Sequence, residues 1–148
     1  MLSDLLRRLG GRPENDVLLP AQEQRVAVAA LLVIAAHADE IYEEVERTQI
    51  ERALADRYSL DPEAAAKLRE QGEAAEAGSV DLYRFTSLVK AGVPYEERAA
   101  VIEAMWRVVL ADNVREQHED ALMRKITDLL GLDPREGVEA RQRAQASL

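Results

Sequence analysis

An all-α bundle of about seven to eight helices, built from two similar helical-hairpin halves, is the architecture this chain dictates. Three observations carry it. The composition is rich in Ala, Leu, Glu and Arg, and no segment alternates apolar and polar residues as a half-buried strand would. Pro20, Pro62, Pro94 and Pro134 stand where helices would begin, at the position that tolerates a missing N–H because that amide has no intrahelical partner. Third, an acidic pattern is written twice. "HADEIYEEVE" (37–46) and "ADNVREQHE" (111–119) both read Ala-Asp, one residue, Ile or Val, one residue, Glu, two residues, Glu.

The elements follow in chain order. Residues 2–9 form a short amphipathic helix with Leu2, Leu5, Leu6 and Leu9 on one side. So short a helix binds lipid weakly, so it is expected to dock on its own domain. Pro20 opens a helix over 20–38, whose apolar run from Val26 to Ala36 falls short of the ~20 residues that cross a bilayer. In the helix over 44–58, Ile50, Ala53, Leu54 and Tyr58 are interleaved with Val45, Gln49, Arg52 and Asp56, so one face is wet. Tyr42 and Tyr58 are expected at helix edges with solvated hydroxyls.

Asp61 caps the next helix, 62–77, where "REQGEAAEAG" (69–78) reads as a solvated face. The stretch "SVDLYRFTSLVKAG", helical over 81–91, links the halves and closes one side of the bundle. Pro94 starts a helix over 94–111 with Val101, Ile102, Met105, Trp106 and Val109 on a broad apolar face. A helix over 116–130 follows, and Asp133 caps a last one at 134–146, only weakly amphipathic and expected to fray. Gly10, Gly11, Gly72, Gly78, Gly92 and Gly131 fall near ends or breaks.

The repeat extends beyond the two turns. A shift of 73 residues lays "RVAVAALLVIAAHAD" (25–39) on "RAAVIEAMWRVVLAD" (98–112), and Ile50 on Met123. After one residue of slippage "SLDP" (59–62) meets "GLDP" (131–134). Residues 1–19 therefore read as a short helix and loop, and 20–148 as one domain with an internal repeat of 20–62 and 93–134. Two packed hairpins related by a pseudo-twofold are the physical reading.

Composition bounds function. The absence of cysteine excludes a disulfide framework, a thiolate zinc site and a cysteine nucleophile. With 28 acidic against 19 basic residues and a net charge of −9, a nucleic acid is not the expected partner, because phosphate binding rests on cationic contacts. Cations or basic proteins are favoured. The start "MLSDLLRRLGG" lacks the apolar core and cleavage site of a secretory signal. A soluble cytoplasmic protein without a transmembrane segment is expected. No nucleophile elbow, phosphate-binding glycine loop or H-E-x-x-H motif occurs, so no enzyme is expected.

The duplicated Ala-Asp turn, Glu119-Asp120 after the second one, "ITDLLGLDP" and the closing "EARQRAQ" together resemble the TerB-like family, named after a bacterial tellurite-resistance protein. The resemblance covers roughly residues 20–145. Each motif is short; their order and spacing are what match. It implies an all-helical fold of two similar halves, a bacterial cytoplasmic setting, a stress-response context, and an acidic patch for metal or partner binding. The family places glycine after each turn's Asp, whereas Glu40 and Asn113 stand here. Asn enters the left-handed conformation readily and Glu at a cost, so the two turns are expected to differ in shape.

Three readings of the acidic turns stay open. In the first, Glu43 and Glu116 sit at the N-caps and Glu46 and Glu119 three residues on, the geometry of a capping box. In the second, Asp39, Glu43 and Glu46, and likewise Asp112, Glu116 and Glu119, converge as hard oxygen ligands for a weakly held Ca²⁺ or Mg²⁺, with His118 available to the second turn only. In the third, the acidic surface docks a protein through its Lys or Arg side chains. The pattern sets no oligomeric state.

Overall fold

The computed structural model describes residues 20–37, 42–78, 81–112 and 117–147, without side-chain detail for Pro20, Asp112 and 117–119. The expected helix at 2–9, Asp39, Glu116, and the positions after each turn's aspartate lie outside the described residues. Within them the order is α1 (Pro20–Ala36), α2 (Glu44–Tyr58), α3 (Pro62–Ala77), α4 (Leu82–Gly92), α5 (Tyr95–Val109), α6 (Gln117–Leu129) and α7 (Pro134–Ala146). A 3₁₀ turn, Leu110–Asp112, extends α5. No strand occurs among the described residues. The fold is all-α, and the helix ranges expected from residue 20 onward agree to within two residues at each end.

Helix α1 is the axis of the bundle. Ala27 through Val33 are each at most 1% exposed, the mark of a helix apolar on every side. It packs against α3, α4, α5, α2 and α6. The remaining core is laid on by one stripe from each neighbour: Ile50 and Leu54, Phe85 and Val89, Ile102 and Met105, Met123 and Ile126. Burying each such side chain contributes on the order of 1.5–3 kcal/mol. Trp106, with the adjacent Met105, is buried as the spacing required.

Two expectations are corrected by packing. The stretch 69–78 is not a solvated face throughout. Gly72 is buried with Ala65 and Leu68, and a Cβ built on Gly72 would lie 2.6 Å from the Ala29 Cβ. Only hydrogen at that position lets α3 seat on α1. Nor is the C-terminal segment a loose end: α7 lies along α5 with Ala140 and Ala144 fully buried.

Under the repeat alignment α1, α2 and α3 correspond to α5, α6 and α7. The most extensive packing within each set joins the first helix to the third, α1 to α3 and α5 to α7, while α1–α2 and α5–α6 touch over less. The corresponding linkers match in conformation. Ser59 and Gly131 are the two described residues with positive φ, 56° and 82°. The next amide in each case reaches back to the helix, Leu60 to the Ala55 carbonyl and Leu132 to Thr127, both at 3.1 Å, the six-to-one bond of a Schellman motif. Asp61 and Asp133 then cap the amides of Ala64 and Glu136 at 2.8 and 3.0 Å, each cap contributing about 1 kcal/mol.

Candidate functional site

The first elbow is where the described residues bring the predicted carboxylates onto the page. Glu43 is extended and precedes α2, and its amide donates to Glu46 Oε1 at 2.8 Å. This is the reach-back half of a capping box. The Glu46 side chain is 2% exposed, whereas Glu43 is exposed. The two carboxylates therefore do different things. Glu46 is turned inward to the backbone of its own helix, and Glu43 faces solvent.

In the second elbow Asp112 ends the 3₁₀ turn, and Glu119 is the third residue of α6, as Glu46 is of α2. Asp39 and Glu116 lie outside the described residues, so the structure does not bring either full set of three together. Among the described residues no group of three His, Asp or Glu side chains converges as a metal-binding set.

Beside the first elbow, α2 and α3 enclose a shallow polar basin that the residue pattern did not reveal. Arg69, on α3, donates from Nε to Glu51 of α2 at 2.6 Å and from Nη1 to Glu73, one turn along its own helix. The Tyr42 hydroxyl donates to the same Glu73 carboxylate. Burial raises the Tyr42 pKa, and the bond to anionic Glu73 pushes it further above its ordinary range. For Glu73, burial acts upward, but the Tyr42 hydroxyl and the Arg69 guanidinium outweigh it and leave the carboxyl below its usual value. Arg69 is held charged against its own burial by Glu51 and Glu73.

The basin's edge is built by aromatic contacts. His37 meets Tyr42 edge-on at 4.7 Å between ring centroids, and its Nδ1 lies 3.5 Å from Glu76. Arg47 stacks over Tyr42 at 5.0 Å. Glu44, Glu51, Glu70, Glu73 and Glu76 face Arg47 and Arg69 across the basin, so carboxylates outnumber guanidiniums. Glu51 and Glu73 are bound to Arg69; the outer carboxylates, Glu44 and Glu70, lie 3.7 Å from Arg47 and 4.0 Å from Arg69 with side chains 85% and 68% exposed.

The expectation of wet tyrosine hydroxyls is overturned, because both have protein acceptors. Tyr42 donates to Glu73, and Tyr58 to Gln24 Oε1 at 3.2 Å. The Arg69–Glu73 spacing of one helical turn is readable in sequence. The partners across 31 and 34 residues of chain leave no local trace. His37 is half-buried, as its apolar counterpart Leu110 in the repeat implied.

No helix among the described residues is long and apolar enough to cross a membrane. A family model described as tellurite resistance protein TerB matches residues 25–142. No curated protein and no solved structure matches the chain significantly.

Proposed function

The chain belongs to the TerB family of tellurite resistance proteins, and on that premise we propose that it is a non-catalytic docking module of a bacterial stress response, receiving a basic protein segment on its acidic surface. One observation supports the reading most: in the α2–α3 basin the inner carboxylates are committed to Arg69 while Glu44 and Glu70 stand exposed at its margin. A rigid floor with exposed anionic margins, Glu44 only 3.7 Å from Arg47 and Glu70 4.0 Å from Arg69 in solvent-screened pairs, suits Lys and Arg side chains, and such complementarity governs encounter and specificity. Its groups are paired with one another and none is poised as a nucleophile with a base, the pairing that covalent catalysis uses.

A second reading, a weak Ca²⁺ or Mg²⁺ binder at the duplicated turns, draws on exposed Glu43 together with Asp39, and on Asp112, Glu116 and Glu119 at the other turn. Glu46 weighs against it at the first turn, since its carboxylate is buried and already holds the Glu43 amide.

One set of measurements separates the two. A partner co-purified from the native host is titrated into the wild type and into Glu44→Lys/Glu70→Lys at low and high salt. Docking requires wild-type affinity that falls with salt and drops about tenfold or more in the variant, the loss expected for two rim charges reversed. Equal binding by the variant, or salt-independent affinity, sinks it. Millimolar Ca²⁺ or Mg²⁺ added to the isolated chain should leave its melting temperature unchanged. A rise abolished by Asp112→Asn/Glu119→Gln would instead establish the cation site.

A further inference from the structure

A groove of about 420 Å³ lies between α6 and α7, over the indole of Trp106. Its volume falls in the range of small-molecule sites, roughly 300–1,000 Å³. Met123 and Leu132 join Trp106 in an apolar lining, and Val138, 46% exposed on α7, stands at the same place. Trp106, Met123 and Leu132 form the groove's nearly covered floor, each 5% exposed or less, and Val138 supplies its open apolar wall, an apolar concave lining of the kind ligand pockets present.

The corresponding seam in the first half is bridged by an ion pair. There Glu51 and Arg69 clamp α2 to α3 at 2.6 Å. In the repeat alignment Glu51 corresponds to Arg124 and Arg69 to Arg141, so the second half carries two cations where the first carries an ion pair. Arg124 and Arg141 cannot make that ion pair with each other, and α6 touches α7 over less than α2 touches α3. Val33, opposite in the first half, is replaced by the larger Trp106.

Arg124 and Arg141 both line the groove. Arg141 holds its guanidinium 5.6 Å over the Trp106 ring, and its Nε is buried without a hydrogen-bond partner. A buried donor without an acceptor is unfavourable, and an acceptor arriving with a ligand relieves it. Asp120 and Asp128 also line the groove, and they disfavour a ligand with more than one negative charge.

We propose that this groove binds an amphiphilic monocarboxylate, its apolar tail against Trp106, Met123, Leu132 and Val138 and its carboxylate on Arg141, with Arg124 as the second cation. A guanidinium matches a carboxylate in plane and in donor spacing, and the tail replaces the groove's contact with water.

Trp106 is the chain's one tryptophan, so its fluorescence reports the site without a label. The full chain is titrated with octanoate, and with octanol and octylamine as probes of equal tail. Saturable octanoate binding is expected, with octanol weaker by about tenfold or more, as a charge-assisted bond of about 1.5–3 kcal/mol implies. Arg141→Gln should bring octanoate down to the octanol level. Arg143→Gln, the same charge change on the same helix but at a residue paired with Glu103, should bind as the wild type does. Octanol or octylamine binding as tightly as octanoate, an unaffected Arg141→Gln, an equal loss in Arg143→Gln, or no saturable response would each overturn the proposal.

Discussion

Glu46 and Glu43 illustrate how one short acidic pattern serves two ends. Three residues apart, they were equally eligible as ligands, caps or docking charges. The fold assigns Glu46 to the backbone, buried and bonded to the Glu43 amide at 2.8 Å, and leaves Glu43 outside. Glu46→Ala removes the acceptor and empties buried space at once, and is expected to lower unfolding free energy by about 1–3 kcal/mol in denaturant titrations. Glu46→Gln keeps an acceptor oxygen and should retain most of that stability, while Glu43→Ala at its exposed position should cost less than Glu46→Ala. A Glu46→Ala protein as stable as wild type would mean the buried carboxylate is not a cap. Tyr42 follows the same logic: its hydroxyl is one of the pieces that fix Glu73, and so belongs to the basin's floor.

The linkers between helices carry the repeat more clearly than the helices do. Ser59 and Gly131 both turn left-handed after corresponding helices, and both hand the chain to a Leu-Asp-Pro restart. The same turn is thus made once by the residue suited to it and once by one that is not. Ser59→Gly should stabilise the protein by up to about 1 kcal/mol, and Gly131→Ala should destabilise it by about 1 kcal/mol, because a Cβ is disfavoured at positive φ. Opposite signs from these two substitutions in equilibrium unfolding would bear out the conformational assignment; a neutral Gly131→Ala would count against it. Arg98 shows how a repeated residue diverges. It donates to the carbonyls of Val93, Leu130 and Lys90, at 3.0, 3.1 and 3.1 Å, closing the ends of α4 and α6. Its counterpart Arg25 stacks on Tyr58, at the end of α2, at 4.6 Å.

Across the molecule, what could be read in advance was what is encoded locally. Pro62 and Pro134, each preceded by a capping Asp, mark helix starts within a few residues of themselves. The unbroken apolar run of α1 announces a helix buried on every side. The shifts came at Pro94, which precedes α5 as its N-cap instead of opening it, and where a second element decides the outcome. Gly72 looks like a break in an acidic helix until Ala29 is set beneath it. Tyr42 has no sequence signal pointing to Glu73. The replacement of Glu51 and Arg69 by Arg124 and Arg141 can be read from the alignment, but its consequence, one seam bridged by an ion pair and one not, needed the helices in place.

The proposed docking role takes the α2–α3 basin as the face that meets a partner. A photo-cross-linking residue at position 77, exposed beside the basin, compared with one at position 139, exposed on α7, tests this in native host cells without prior purification of anything. Position 77 should yield a discrete adduct with a second protein, lost when Glu44→Lys is added, and position 139 should yield none. Adducts from position 139 alone, or a position-77 adduct indifferent to Glu44→Lys, would place the contact on another face and refute the basin as the docking surface.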